Sequence, residues 1–126
     1  METDIIIFVD AMNTSVEGVT IVNSAFHSIV MTGPYRQETP TVVRWTKIVT
    51  WRANGDGINP MRNGLIEDCF IRTQDDSSYV NGHGIKRTVM WQDANGSSFV
   101  LTQLGSDDIN THPVIIEDCT VIYSRY

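Results

Sequence analysis

Leu65-Ile66-Glu67-Asp68-Cys69-Phe70 returns fifty residues later (115 − 65) as Ile115-Ile116-Glu117-Asp118-Cys119-Thr120. Between the two lies a related stretch, Lys86-Arg87-Thr88-Val89-Met90-Trp91. Two more precede them, Gly18-Val19-Thr20-Ile21-Val22-Asn23 and a longer one from Val42 to Trp51. The units recur at roughly 20 to 25 residues, the period of a stacked repeat. An inserted loop such as Ser106 to Pro113 accounts for the upper value.

Each unit is rich in Val, Ile, Thr and aromatic residues, which suit strands. Turn formers separate them: Asn54-Gly55-Asp56-Gly57, Asn81-Gly82, Asn95-Gly96 and Asp107-Asp108. No segment has helical periodicity, and the gaps are too short for crossover helices. A hairpin sandwich would break every 8 to 12 residues or so and would need no twenty-residue register. The expected fold is therefore all-β: a right-handed, single-stranded parallel β-helix of about five coils, forming one domain over 1–126. Residues 1–15 are expected to form a cap or an edge strand.

Stacked coils lie about 4.8 Å apart, so inward residues form ladders along the axis. Cys69 and Cys119 hold the same place two coils apart, hence about 9.6 Å from each other. A disulfide needs Cα atoms within about 7 Å, so both are expected to be reduced. Neither has a Cys or His neighbour at zinc-ligand spacing.

Composition narrows the function. The chain has 126 residues, 41% of them apolar, and a net charge of −6 with only nine Lys and Arg. Nucleic acid is not an expected partner, because a phosphate backbone is bound by clustered cations. The longest apolar run, Ile5 to Val9, cannot span a membrane and does not make a signal peptide. Phosphate loops, dinucleotide fingerprints and nucleophile elbows are missing from the sequence, and no cofactor is expected.

Three carboxylates stand out. Asp56 lies in Asn54-Gly55-Asp56-Gly57-Ile58, and Asp75 and Asp76 lie in Thr73-Gln74-Asp75-Asp76. The separations, 75 − 56 = 19 and 76 − 56 = 20, each equal one coil. Stacked carboxylates repel unless protons or ligands compensate. The plainest reading of such residues is coil corners, since Asp and Gly favour turns. Glycoside hydrolysis by inversion is the chemical alternative: one carboxyl protonates the leaving oxygen, and another activates water across a gap of about 6.5 to 9.5 Å. Calcium binding by an oxygen-rich loop is a third, though no metal site is assigned. Asp75 and Asp76 can share one groove only at a bend, because adjacent strand residues face opposite sides.

The stretch from Asn54 to Tyr79 resembles the active-site coils of the dextranase and isopullulanase family of glycoside hydrolases. There an Asp-Gly-Ile motif precedes an adjacent Asp-Asp pair by one coil. Arg87-Thr88-Val89-Met90-Trp91-Gln92-Asp93-Ala94-Asn95-Gly96 and Val121-Ile122-Tyr123-Ser124-Arg125 extend the resemblance to roughly residues 16–126. It implies an inverting hydrolase of α-1,6 or α-1,4 glucan links, a secreted location, and an α-glucan poly- or oligosaccharide as partner. By position, Asp75 would be the general acid, and Asp56 and Asp76 would position and deprotonate the water. Family enzymes are several times longer, with an N-terminal β-sandwich and more coils. Gln74 and Ser77-Ser78-Tyr79 also depart from the family wording. Polygalacturonases share a comparable trio and a Gly-His-Gly motif, but Gly82-His83-Gly84 lies only seven residues past the pair (83 − 76).

The remaining substrate-binding candidates are Trp51, Asn54, Tyr79, His83 and Trp91. An aromatic face suits the apolar face of a pyranose, although packing is the plainer expectation for Trp45, Trp51 and Trp91. His27 reads as a satisfied structural residue and His112 as an exposed one. Asn13-Thr14-Ser15 and Asn95-Gly96-Ser97 fit the glycosylation pattern, a triplet common by chance. Open solenoid ends expose strand edges, so end-to-end self-association is expected unless residues 1–15 cap one end.

Overall fold

The computed structural model describes residues 5–11, 13–32, 40–60, 64–80, 82–101 and 114–125. Among these residues thirteen strands, numbered in chain order, form three sheets in which every described pairing is parallel. The first sheet holds β1 (Ile7–Asp10), β4 (Ile29–Thr32) and β7 (Ile58–Asn59). Parallel bridges Ile58↔Ser78 and Tyr79↔Val100 carry its pairing into the two later coils. The second sheet holds β2 (Ser15–Glu17), β5 (Thr41–Arg44), β8 (Gly64–Glu67), β10 (Gly84–Lys86) and β12 (Ile116–Glu117). The third holds β3 (Thr20–Val22), β6 (Lys47–Val49), β9 (Phe70–Thr73), β11 (Val89–Gln92) and β13 (Thr120–Ser124). The chain visits the sheets in rotation, which makes it a parallel β-solenoid. Five strands stack in two of the sheets, in line with the five coils read from the repeat.

The coils are less equal than the repeat suggests. Along the inward column Val16, Val43, Ile66, Ile85 and Ile116 the offsets are 27, 23, 19 and 31 residues. The extra length falls between β4 and β5 and between Val100 and β12. Asp107-Asp108 and His112 belong to the second of these segments and lie outside the described residues.

Alternation decides what faces in. In the third sheet Ile48, Ile71 and Met90 are fully buried and stack above Ile21. Each such side chain contributes about 1.5 to 3 kcal/mol by leaving water. The last rung differs: Ile116 and Val121 occupy the same two columns but are 43% and 41% exposed, because no described strand covers that edge.

A single sharp residue turns the chain from the second sheet into the third. At this corner Trp45, Asp68, Arg87 and Asp118 all have positive φ, between 45° and 54°, and Gly18 has φ 67°. Only Gly takes this conformation without steric cost, so four side chains in it indicate a geometry imposed by the stack. The column just before the turn reads Glu17, Arg44, Glu67, Lys86, Glu117, so that charge alternates from coil to coil. Arg44 meets Glu17 at 2.9 Å, Arg87 meets Glu67 and Asp68 at 2.8 Å, and Lys86 meets Glu117 at 3.1 Å.

Just past the turn come the cysteines, both free. Each thiol reaches two carbonyls in the same pattern, Cys69 those of Glu67 and Val43, Cys119 those of Glu117 and Ile85. Burial pushes the Cys69 thiol up to about 11, so it is an inert packing group rather than a nucleophile. Cys119, on the open last rung, is only partly buried.

Candidate active site

The corner from the third sheet back to the first is built differently. Its interior is polar, with hydroxyl pairs Ser24–Ser28 and Thr73–Ser77 each 2.8 Å apart. Buried hydroxyls need such partners. The bridge Ile58↔Ser78 sets the register here, so Asp56 stacks beside Asp76. Gly57 donates its N–H to the Asp76 carbonyl at 2.9 Å, which locks the two coils together. A side chain at Gly57 would run into the Ser77 carbonyl, which is why the residue after Asp56 has none.

Oxygens of Asp56, Asp75 and Asp76 lie within 4.8 Å of one another. This bears out the one-coil spacing as a statement about geometry. Asp75 and Asp76 sit at a bend, as sharing a groove demands, and the Asp76 N–H donates to Asp75 Oδ1 at 3.0 Å. Asp75 Oδ2 accepts the Asn54 N–H and the Asn95 side-chain amide, each at 3.3 Å. Asp76 Oδ1 accepts the Ser97 N–H at 2.7 Å. Gly96 has φ 76° and presses against both carboxyls so closely that a Cβ there would collide with Asp76. Three oxygens at this separation also suit a hard cation. The nearest-oxygen spacing is shorter than the gap of about 6.5 to 9.5 Å that characterises inverting pairs.

Asp56 is the unusual member. It is 5% exposed, and burial pushes its carboxyl up to about 7 from an ordinary 3.8. The Tyr79 hydroxyl bond pulls it down, and the charges of Asp75 and Asp76 push it up again. Tyr79 lies with its hydroxyl 2.7 Å from Asp56 Oδ2 and 3.1 Å from Asp76 Oδ2. Burial and the Asp56 hydrogen bond hold its own ionisation far above the usual range, so it stays an O–H donor. Tyr79, expected to face substrate, is 5% exposed and ties two carboxyls together instead.

His27 corrects another expectation. Ile29 pairs with Ile58 and Ile58 with Ser78, so the residues two places earlier, His27, Asp56 and Asp76, form one column. His27 Nδ1 is 3.3 Å from Asp56 Oδ2, yet this buried atom makes no aligned hydrogen bond. Burial lowers its basicity, while Asp75 and Asp76 act the other way. It is not a satisfied structural histidine. The signal was present as His27-Ser28-Ile29 above Asp56-Gly57-Ile58, but the long coil hid the alignment.

The other candidates separate. Asn54, at φ 57°, supports Asp75 through its backbone. Packing in the core is overturned for all three tryptophans: Trp45, Trp51 and Trp91 are 56%, 52% and 41% exposed. Trp51 borders the carboxylate corner, its ring 5.1 Å from the Arg72 guanidinium. Arg72, buried although its strand position faces outward, also donates to Asp93 and to the Thr50 carbonyl. Trp91 stands one coil beyond Arg72 on the same sheet face. His83 is not brought to the trio. Its N–H donates to the Gly64 carbonyl at 2.9 Å, where the chain enters the second sheet at a different corner.

With this geometry in place, two curated relatives are informative. Dextranases of Arthrobacter globiformis and of Arthrobacter sp. (strain CB-8) are each 27% identical to this chain over 111 residues. The chain is dextranase-like. The matched region covers 86% of this chain but only 17% of either relative. No family model and no solved structure matches. A dextranase-like sequence on a parallel β-solenoid fits a glycoside-hydrolase type of β-helix.

Proposed function

We propose that this solenoid cleaves α-glucan of the dextran or pullulan type by hydrolysis with inversion, using Asp56, Asp75 and Asp76. The observation that carries the reading is the convergence of three carboxyls at one corner of the stack. Stacking like charges costs stability, and proteins keep such arrangements chiefly at sites that use them. The family resemblance assigns the roles. Asp75 gives its proton to the glycosidic oxygen as the C–O bond breaks, and Asp76 takes a proton from the attacking water. Asp56, neutral at pH 6, orients that water. Trp51 and Trp91 offer faces for sugar rings next to the corner. Inversion rests on the resemblance and is tested by following the anomeric configuration of the first product by NMR.

A polysaccharide partner implies work outside the cell, as resemblance to secreted enzymes also suggests. Self-association through the exposed edge of β12 and β13 belongs to the same proposal.

The decisive measurement is reducing-sugar release from dextran and pullulan by wild type and Asp75→Asn. Loss of at least about a hundredfold in the variant is expected, the scale of general acid catalysis. A folded wild type that releases nothing from either glucan would leave a non-catalytic solenoid module, binding carbohydrate or stacking on other coils.

A further inference from the structure

We infer that Tyr79 and His27 are positioning residues that make Asp56 and Asp76 a pair sharing one proton, with Tyr79 as its bridge and His27 as its outlet to solvent. The inference rests on the hydrolytic reading of the trio and gives two further residues a task in it. Three features of the geometry support it. A tyrosine has one hydroxyl proton, yet the Tyr79 oxygen is within hydrogen-bond distance of both Asp56 Oδ2 and Asp76 Oδ2. It can donate to one of them only, so the other contact is satisfied when that carboxyl is itself protonated and donates to the phenol oxygen. His27 Nδ1 faces the same Asp56 oxygen at 3.3 Å and has no hydrogen-bond partner among the described residues. The His27 side chain is 17% exposed against 8% for Asp56, so the ring leads outward. The charged and titratable groups around Asp56 are therefore His27 from the coil on one side, and Asp75, Asp76 and Tyr79 from the coil on the other.

Such a pair solves a problem that every turnover creates. Water gives one proton to Asp76 while its oxygen bonds to the anomeric carbon, and Asp75 gives one proton to the departing sugar oxygen. The pair then carries one proton too many and Asp75 one too few. The surplus leaves from the Asp56 side first, and Asp76 then passes its proton to the Tyr79 oxygen as Tyr79 passes its own to the emptied Asp56. The Asp56 release that opens the reset goes to Nδ1 of neutral His27, which gives a proton up to solvent, and Asp75 is recharged from solvent. No bond other than O–H and N–H changes in this reset.

The test uses the full chain with aspartate carboxyl carbons and histidine nitrogens labelled, titrated by NMR, beside the glucan assay. In wild type the Asp56 carbon should titrate near 7, and the His27 ring nitrogens should show an inflection at the same pH. Tyr79→Phe should raise the Asp56 midpoint, since it removes a donor to the ionised form, and should lower kcat about ten- to a hundredfold with KM within about twofold. An Asp56 midpoint that stays put in Tyr79→Phe overturns the bridge. A His27 signal blind to Asp56 overturns the outlet, as does a His27→Ala protein with full kcat. Should wild type cut no glucan, the hydrolytic reading falls by itself, and the titrations still decide whether the proton is shared.

Discussion

Two corners of the same coils obey opposite electrostatic rules. Where the second sheet turns into the third, Glu17, Arg44, Glu67, Lys86 and Glu117 alternate in sign, and each cation meets an acid of an adjacent coil. Where the third returns to the first, Asp56 and Asp76 stack in adjacent coils with Asp75 alongside. Both corners are built by the same winding and the same spacing. Exposed pairs of the first kind contribute little individually but help to set the register. A stack of the second kind opposes folding, and only burial of a protonated Asp56 and the ring of N–H and O–H donors make it tolerable. The contrast supports the proposed site: the chain follows a stabilising rule at one corner and departs from it at the other.

The largest expected effect tests whether the close coil contact holds the acid corner together. Gly57→Ala would drive a methyl into the Ser77 carbonyl, so a loss of about 3 kcal/mol or more is expected, read from urea denaturation. Stability close to wild type would mean that the acid corner is looser than its hydrogen bonds imply.

Next comes a substitution that should strengthen the protein while disabling it. Asp56 is raised from 3.8 to about 7 on folding, so its neutral form is favoured in the native state. Its contribution is fully present below its unfolded value, declines as pH rises, and is gone above about 7. Asp56→Asn cannot ionise and should be more stable than wild type at pH 8, by up to about 4 kcal/mol. The gain should shrink towards pH 4. Thermal unfolding at both pH values measures it, and an equal gain at each would refute the burial argument.

The smallest effect belongs to the alternating corner. Arg87→Glu would place three acids side by side there, and a modest drop in melting temperature is expected, reduced by high salt because the group is exposed. A drop as large at high salt as at low would show that Arg87 contributes packing rather than charge.

Much of this could be read from the residues. The recurrence of Glu-Asp-Cys placed Cys69 and Cys119 in one column two coils apart, and the separation of one coil brought Asp56 to Asp76. What could not be read has physical causes. Insertions lengthen two coils, so His27 is 29 residues from its column neighbour Asp56 (56 − 27) and no common period reveals it. Tyr79 reads as an aromatic beside the acids, but strand alternation does not say that its ring folds back over the corner. His83 looked close because seven residues is a short distance in sequence, yet in a solenoid it is enough to pass along one side and reach the next corner. Arg72 belongs to an outward position and is buried only because Trp51 and Asp93 close over it.

The ladder of alternating charge has a corollary for neighbours. Among the described rungs the column runs from Glu17 to Glu117, and the outermost two share one sign. A coil offering Lys or Arg at the height of Glu117 would continue the pattern. The column thus carries a rule of opposite sign from each rung to the next, written in the residues just before the turn.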